Sequence, residues 1–171
     1  EALIDLENVI WEMVGHVQSR KAKLVANSFS RLHSLSSIKL ARLLNRHRDT
    51  ALSPMEVLIQ VNVSGEESKQ GVDATEREDW DNVLKFAQEL KDYPNLKLTG
   101  LMSMPPLFDD PEQNRPYFQQ VRELLNYLNE KDSSLNLHEL SMGTSYDFVI
   151  AIEEGATIVR LGSSLLGERH K

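Results

Sequence analysis

The stretch Glu56–Val63 reads EVLIQVNV, an almost unbroken run of apolar and β-branched residues. Such a run is typical of a parallel strand that is covered on both faces. On either side of it, the chain alternates short apolar runs with stretches whose apolar residues recur at helical spacing. Strict alternation of strands and helices predicts a parallel sheet, either open and doubly wound or closed into a barrel.

Five further strands are predicted, and they lie at Val9–Gly15, Ser30–His33, Leu96–Met102, Leu135–Leu140 and Ala156–Leu161. Five helices are predicted between the strands. Two have predicted bounds, Ser19–Ala26 and Thr144–Glu154, and the second is closed by Gly155. The other three are predicted from their starts, which are a cap at Ser34 or Ser36, a capping box of Thr75 and Glu78, and the pair Asp110-Pro111. A closed barrel needs eight strand–helix units and about 250 residues. If this sheet belongs to a barrel, two units are missing and the helix-like start, Glu1–Leu6, is the tail of the second.

Composition excludes several classes of protein. Lys and Arg number 19 and Asp and Glu number 26, so the formal net charge is −7, which argues against a nucleic-acid partner because phosphate contacts need a basic face. The chain has no cysteine, which removes disulfides, thiolate metal sites and cysteine nucleophiles. The five histidines show no metal-ligand spacing. No apolar run approaches about 18 residues, so no membrane span is expected.

Two small, hydroxyl-rich loops follow the last two predicted strands, where function gathers in parallel α/β folds. The first is Ser141–Ser145, in which Gly143 permits close backbone approach and Thr144 or Ser145 supplies a helix cap. The second is Gly162–Ser164. Barrels often build a phosphate site at this position. The alternative is that both are ordinary strand–helix loops.

Arg160 lies inside the apolar strand ATIVRL, and a buried guanidinium needs a partner. One hypothesis is that Arg160 meets a ligand at the carboxyl ends of the strands. The alternative is a salt bridge to one of three carboxylates, which are Glu139, Glu153 and Glu154.

Two further polar residues follow predicted strands. His16 is a candidate base or ring-stacking contact, although a lone histidine also has structural uses. Asn62 opens a polar loop and is a candidate to point into the barrel mouth, while Glu66, Glu67 and Lys69 are interpreted as solvated charges.

Five strings occur in order from about Trp11 to Arg169: GHVQSRKAKLV, HSLSSIKLARLLN, VLIQVNVSGEESKQGV, LTGLMSMPP and LSMGTSYDFVIAIEEGATIVRLGSSLLGER. They resemble the YggS/PROSC family, the pyridoxal phosphate homeostasis proteins. The resemblance implies an α/β fold, a (β/α)8 TIM barrel like the N-terminal domain of alanine racemase. About six of the eight units are expected here, with residues 1–171 forming one domain that lacks one or two N-terminal units.

The resemblance also implies a function. It implies a cytoplasmic, monomeric protein that binds pyridoxal 5′-phosphate (PLP) and acts as a carrier or reservoir in vitamin B6 homeostasis, without established catalysis. Residues of the phosphate-binding loop are Ser141, Gly143, Thr144 and Ser145, and a second phosphate contact comes from Gly162 and Ser163. The other expected contacts are Arg160 near the pyridine nitrogen, Met142 at the ring, and His16 and Asn62 beside the cofactor. The family's Schiff-base lysine, in a string like AVSK, has no counterpart in this sequence, so no catalytic residue is expected.

Two alternatives stay open. One is an active PLP enzyme such as an amino-acid racemase, which in this barrel type needs a second base, usually a tyrosine from an added domain. The four tyrosines here lie on or near predicted helices, which favours the carrier. The other alternative is a barrel remnant that holds no cofactor and serves as an interaction module.

Overall fold

A parallel sheet runs through the computed structural model, which describes residues 9–66 and 69–167. Its strands within this part of the chain are β1 Glu12–Met13, β2 Arg31–Leu35, β3 Met55–Asn62, β4 Val72–Asp73, β5 Leu96–Ser103, β6 Glu139–Thr144 and β7 Ile158–Arg160. Six of them lie side by side in the order β1-β2-β3-β5-β6-β7, and all neighbours are parallel. The two-residue β4, which was not predicted, pairs with the end of β3. The predicted parallel sheet of six strands is confirmed as part of a barrel.

Helices connect the strands and cover the outer face of the sheet. They are α1 Ala22–Ser28, α2 Ile38–His47, α3 Trp80–Glu89, α4 Arg115–Lys131, α5 Phe148–Glu153 and α6 Ser163–Leu166. The alternation of strand and helix is therefore confirmed. The helix-like start predicted at Glu1–Leu6 lies outside the described residues. No helix in the described ranges is both long and apolar enough to cross a membrane.

Two helix starts differ from the prediction by one residue or more. The cap of α2 is Ser37, whose backbone is extended and whose hydroxyl accepts from the Leu40 amide at 3.3 Å. Ser34 instead is buried and donates to the Gly15 carbonyl at 2.8 Å. The capping box before α3 joins Glu76 and Asp79 rather than Thr75 and Glu78.

The start of the turn before α4 is as predicted. The Asp110 carboxylate accepts from the Glu112 amide at 3.0 Å, and Pro111 follows the cap. The apolar stripe of α4 then packs against the sheet, and its five members are buried: Phe118, Val121, Leu124, Leu125 and Leu128. The core therefore lies between the sheet and the helices, and the polar ends of the strands are left for a site.

The fifth strand of the order, β6, lies later in the sequence than predicted. The prediction was Leu135–Leu140, but β6 covers Glu139–Thr144, so most of the expected loop Ser141–Ser145 is strand. The reason is pairing, because Gly100 to Met102 of β5 align with Glu139 to Ser141. Accordingly α5 begins at Phe148 and not at Thr144.

Candidate functional site

The loops after β6 and β7 meet on one oxygen atom. The Ser145 hydroxyl oxygen accepts from the Gly162 amide at 2.9 Å and from the Ser164 amide at 3.2 Å. The Ser164 hydroxyl lies 3.0 Å from the same oxygen. Backbone amides that converge on one acceptor are the usual construction of an anion site. The structure thus brings the two separately predicted loops together in a single cluster of donors.

Thr144 has a different role from the one expected. The Asp147 carboxylate folds back and accepts from the Thr144 amide at 2.7 Å and from its hydroxyl at 2.9 Å. Asn114 donates to the other carboxylate oxygen at 2.7 Å. Neither Thr144 nor Ser145 caps α5, because Asp147 occupies the residue before that helix. The Thr144 donors are therefore already satisfied inside the loop.

Gly143 and Met142 shape the strand. Gly143 has a φ of +88°, and a Cβ added there would lie 2.6 Å from the Cβ of Ala151 in α5. The close approach of strand and helix therefore requires glycine. The Met142 side chain is fully buried in the core on the helix side of the sheet. This corrects the expected ring contact, because the Met142 side chain is not accessible to a ligand.

Arg160 is half-buried at the end of β7, and its partners are neutral oxygens. One guanidinium nitrogen donates to the Ser141 hydroxyl at 2.8 Å and the other to the Ser103 carbonyl at 2.8 Å. Burial lowers the pKa of Arg160, and the Asp147 carboxylate partly offsets this by raising it. Both groups that accept hydrogen bonds from the guanidinium are thus uncharged.

The salt-bridge alternative for Arg160 is not observed in the described part of the chain. Glu154, which is buried, binds Arg115 at 2.8 Å and Arg122 at 2.7 Å. Glu153 also binds Arg115, at 2.7 Å. Glu139 lies 3.7 Å from Arg31 instead. All three expected carboxylate partners are therefore engaged elsewhere.

A pocket of about 320 Å³ opens at the carboxyl ends of β1, β3 and β5. His16 and Asn62 both line it, so the structure places these two predicted residues together. Met104 lines the same pocket and directly follows Ser103, whose carbonyl binds Arg160. The pocket and the guanidinium are thus connected through two adjacent residues.

The loop after β3 adds a structural role for Asn62 and corrects the interpretation of Lys69. The Asn62 side chain holds its own loop, because it donates to the Glu66 carbonyl at 3.1 Å and accepts from the Ser64 amide at 3.1 Å. Lys69 was expected to be solvated, yet its Nζ is shielded from solvent, lies 3.4 Å from a Glu66 carboxylate oxygen and lines the pocket. Since its signal in the sequence is that of an ordinary loop lysine, only the fold reveals its position.

Sequence reasoning also missed His33. This histidine is 1% exposed, and its Nδ1 lies 2.8 Å from the same Ser141 hydroxyl that binds Arg160. The available signal was a single histidine in the predicted strand Ser30–His33, which by itself indicates no function. In the described residues no group of three or more histidine or acidic side chains is arranged to hold a metal ion.

Comparison with known proteins shows the family of the chain. The family model of the alanine racemase N-terminal domain matches residues 2–170. The chain belongs to the alanine racemase N-terminal domain family. The resemblance to the pyridoxal phosphate homeostasis proteins is confirmed as well, since curated proteins of that name are 43% identical over 169 residues in Aquifex aeolicus and 42% identical over 159 residues in Vibrio alginolyticus.

The chain spans about two thirds of the length of those relatives. It covers 71% of the Aquifex aeolicus protein and 65% of the Vibrio alginolyticus protein, while 99% and 93% of the chain itself are aligned. The match therefore extends over almost all of the chain.

Solved structures of the same fold agree. PipY of Synechococcus elongatus with PLP bound has a TM-score of 0.83 and 29% identity, and covers 97% of this chain and 74% of its own. PipY without PLP has a TM-score of 0.85 and 31% identity, with the same coverage. Alanine racemase from Corynebacterium glutamicum, at 16% identity and a TM-score of 0.66, shares the fold. The predicted barrel architecture of the family is thus confirmed.

Proposed function

We propose that the chain binds PLP at the carboxyl ends of β6 and β7 and acts in PLP homeostasis as a carrier or reservoir. The observation that carries the proposal is the convergence of the Gly162 and Ser164 amides on the Ser145 oxygen. Gly162 lies two residues after Arg160 in the chain. A phosphate oxygen would accept hydrogen bonds from the same amides that now donate to the Ser145 hydroxyl oxygen. The PLP-bound PipY relative and the names of the curated relatives support the assignment.

The phosphate group would be held by the loop after β7. Gly162 and Ser164 supply amides, and Ser145, Ser163 and Ser164 supply hydroxyls at or beside the cluster. Gly162 leaves space there, since a Cβ added to it would meet no atom within 4 Å. In this proposal Ser141, Gly143 and Thr144 shape the strand beneath the phosphate instead of donating to it.

Arg160 would face the pyridine nitrogen. Bound PLP supplies an aldehyde and an electron-withdrawing ring. A guanidinium beside the ring nitrogen disfavours its protonation and so weakens that electron withdrawal. This favours a carrier over a catalyst. His16, Asn62 and Lys69 would line the remaining side of the cofactor, since all three line the pocket.

Other properties follow from the family resemblance and remain predictions. They are a cytoplasmic location, a monomeric state, and a small-molecule partner without nucleic acid. The acidic charge of −7 supports the last of these.

The test is a titration of the 171-residue chain with PLP, followed by absorbance and by equilibrium dialysis, alongside pyridoxal, which lacks the phosphate. PLP is expected to bind at least about tenfold more tightly than pyridoxal, because the donors converge on an anion. Arg160→Gln is expected to weaken PLP binding about tenfold. Arg20→Gln is the matched control, since Arg20 is exposed.

Two outcomes would replace the proposal. A correctly folded chain that retains no PLP would support the remnant without cofactor. Racemisation of an amino acid above background by the PLP-loaded chain would support the enzyme. Equal binding of PLP and pyridoxal would argue against a phosphate site in the Ser145 cluster.

A further inference from the structure

A line of polar contacts crosses the inside of the sheet from β7 to β1. Arg160 donates to the Ser141 hydroxyl at 2.8 Å, and the same oxygen lies 2.8 Å from His33 Nδ1. On the other side of the ring, His33 Nε2 lies 2.9 Å from a Glu12 carboxylate oxygen. Each of the four residues comes from a different strand, so the fold alone brings them together.

The donors and acceptors of this line have one consistent arrangement. A guanidinium only donates, so the Ser141 oxygen accepts from Arg160, and the serine hydrogen is left for His33. The Glu12 carboxylate only accepts when ionised, so His33 carries its hydrogen on Nε2 and presents Nδ1 as an acceptor. Burial lowers the pKa of His33, and Glu12 only partly offsets this, which keeps the ring neutral at neutral pH.

The far end of the line is anchored. Glu12 binds Arg31 at 3.0 Å, and the Arg31 Nε donates to Glu56 at 2.9 Å. The Glu12 carboxylate therefore has a fixed position between a cation and the His33 ring. This in turn fixes the tautomer of the ring, since the nitrogen next to a carboxylate must carry the hydrogen.

We propose that His33 is a positioning residue for Arg160. By accepting the Ser141 hydrogen, it turns the serine oxygen towards Arg160 and so holds the guanidinium at the end of β7. The role of Arg160 towards PLP rests on the proposed function, whereas the arrangement of His33, Ser141 and Arg160 exists without any ligand.

Three substitutions separate positioning from packing. His33→Asn places an amide oxygen near the position of Nδ1, so it can still accept from Ser141. His33→Gln places its amide near Nε2, so it keeps the Glu12 contact and loses the Ser141 contact. Ser141→Ala removes the linking hydroxyl. The matched control is Thr99→Val, because Thr99 is also buried on a neighbouring strand and its hydroxyl has no partner in the described residues.

The first measurement uses the ligand-free chain. In ¹⁵N NMR spectra at neutral pH, His33 is expected to be neutral with its hydrogen on Nε2. Ser141→Ala and His33→Gln are expected to shift the Arg160 side-chain signals, whereas Thr99→Val leaves them in place. A protonated ring, a hydrogen on Nδ1, or unmoved Arg160 signals in both variants would overturn the proposal whether or not PLP binds.

The second measurement is PLP affinity by equilibrium dialysis. Ser141→Ala and His33→Gln are expected to weaken binding about tenfold, as the loss of one charge-assisted contact does, and His33→Asn about threefold or less. Equal loss in His33→Asn and His33→Gln would indicate packing only and overturn the proposal. If the unaltered chain binds no PLP, the proposed function fails, and the NMR result alone decides the role of His33. If His33→Gln does not fold, the protonation state and tautomer of His33 in the unaltered chain decide the proposal.

Discussion

His33 also makes the stability of the chain depend on pH. Its ring is neutral in the folded state because burial lowers its pKa, with Glu12 raising it in part and the charges of Arg160 and Arg31 lowering it further. In the unfolded chain a histidine takes up its proton near pH 6.5. Below that pH the unfolded state binds more protons than the folded state, so the free energy of unfolding falls as the pH falls.

We therefore expect the urea midpoint of the chain to decrease between about pH 7.5 and about pH 5.5. His33→Asn, which cannot be protonated, is expected to show a smaller decrease. Carboxylates with lowered pKa values lose their contribution only in more acidic solution, and these are Asp73, Glu112, Asp132 and Glu154. The same pH slope in both chains would show that His33 is not the group responsible.

Gly143 is a position where one added carbon is expected to be costly. Its φ of +88° is unfavourable for any other residue, and the new Cβ would lie 2.6 Å from the Cβ of Ala151. We expect Gly143→Ala to lower the free energy of unfolding by about 2–4 kcal/mol, from backbone strain plus overpacking. Gly162→Ala is the control, since its φ is negative and its Cβ would meet open space. Urea unfolding of both variants measures the difference, and equal midpoints would contradict the explanation.

The candidate site was only partly predictable from single residues. Ser145 and Gly162 were found because they follow strands, and the carboxyl ends of parallel strands face one side of a sheet. Arg160 was found because a charged residue inside an apolar strand needs a partner. Their partners were not found, because contacts of Arg160 with Ser141 and Ser103 depend on the register of three strands. A lone buried histidine such as His33 carries no spacing motif that distinguishes it from a structural one.

Helix α2 offers a direct test of which serine begins it. Ser37 has an extended backbone and accepts from the Leu40 amide, whereas the adjacent Ser36 makes no such bond in the described structure. Ser37→Ala is expected to lower the free energy of unfolding by about 1 kcal/mol, the usual cost of losing a cap. Ser36→Ala is expected to change it by less than about 0.5 kcal/mol. A larger loss in Ser36→Ala, measured by urea unfolding, would mean that the helix begins one residue earlier.

The order of strands and helices was predictable because apolar periodicity differs between the two. The position of β6 was not. Leu135–Leu140 contains more apolar residues than Glu139–Thr144, but pairing with β5 and β7 selects the second stretch. Tertiary pairing thus overrides local preference, as it commonly does in strands. The capping residues of α2 and α3 were predicted wrongly for a similar reason, since several adjacent polar residues match the capping pattern equally well.

The described sheet has two edges, because β1 pairs only with β2 and β7 only with β6. Apolar side chains are exposed beside both edges, among them Ile10 next to β1 and Leu166 after β7. In a closed barrel such edges are paired with each other through further strands. For the 171-residue chain, these open edges argue against the monomeric state predicted from the family resemblance.

The 171-residue chain by itself is therefore expected to self-associate, because an open strand edge with apolar neighbours is a template for pairing with another copy. Ile10→Lys places a charge beside the β1 edge and is expected to shift the sedimentation-velocity profile towards monomer. Leu107→Lys is the control, because Leu107 is 85% exposed but follows the central strand β5, far from an edge in the strand order. If Leu107→Lys has the same effect as Ile10→Lys, general surface charge and not the strand edge governs association. A chain that stays monomeric up to its solubility limit would show that the edges are covered in another way.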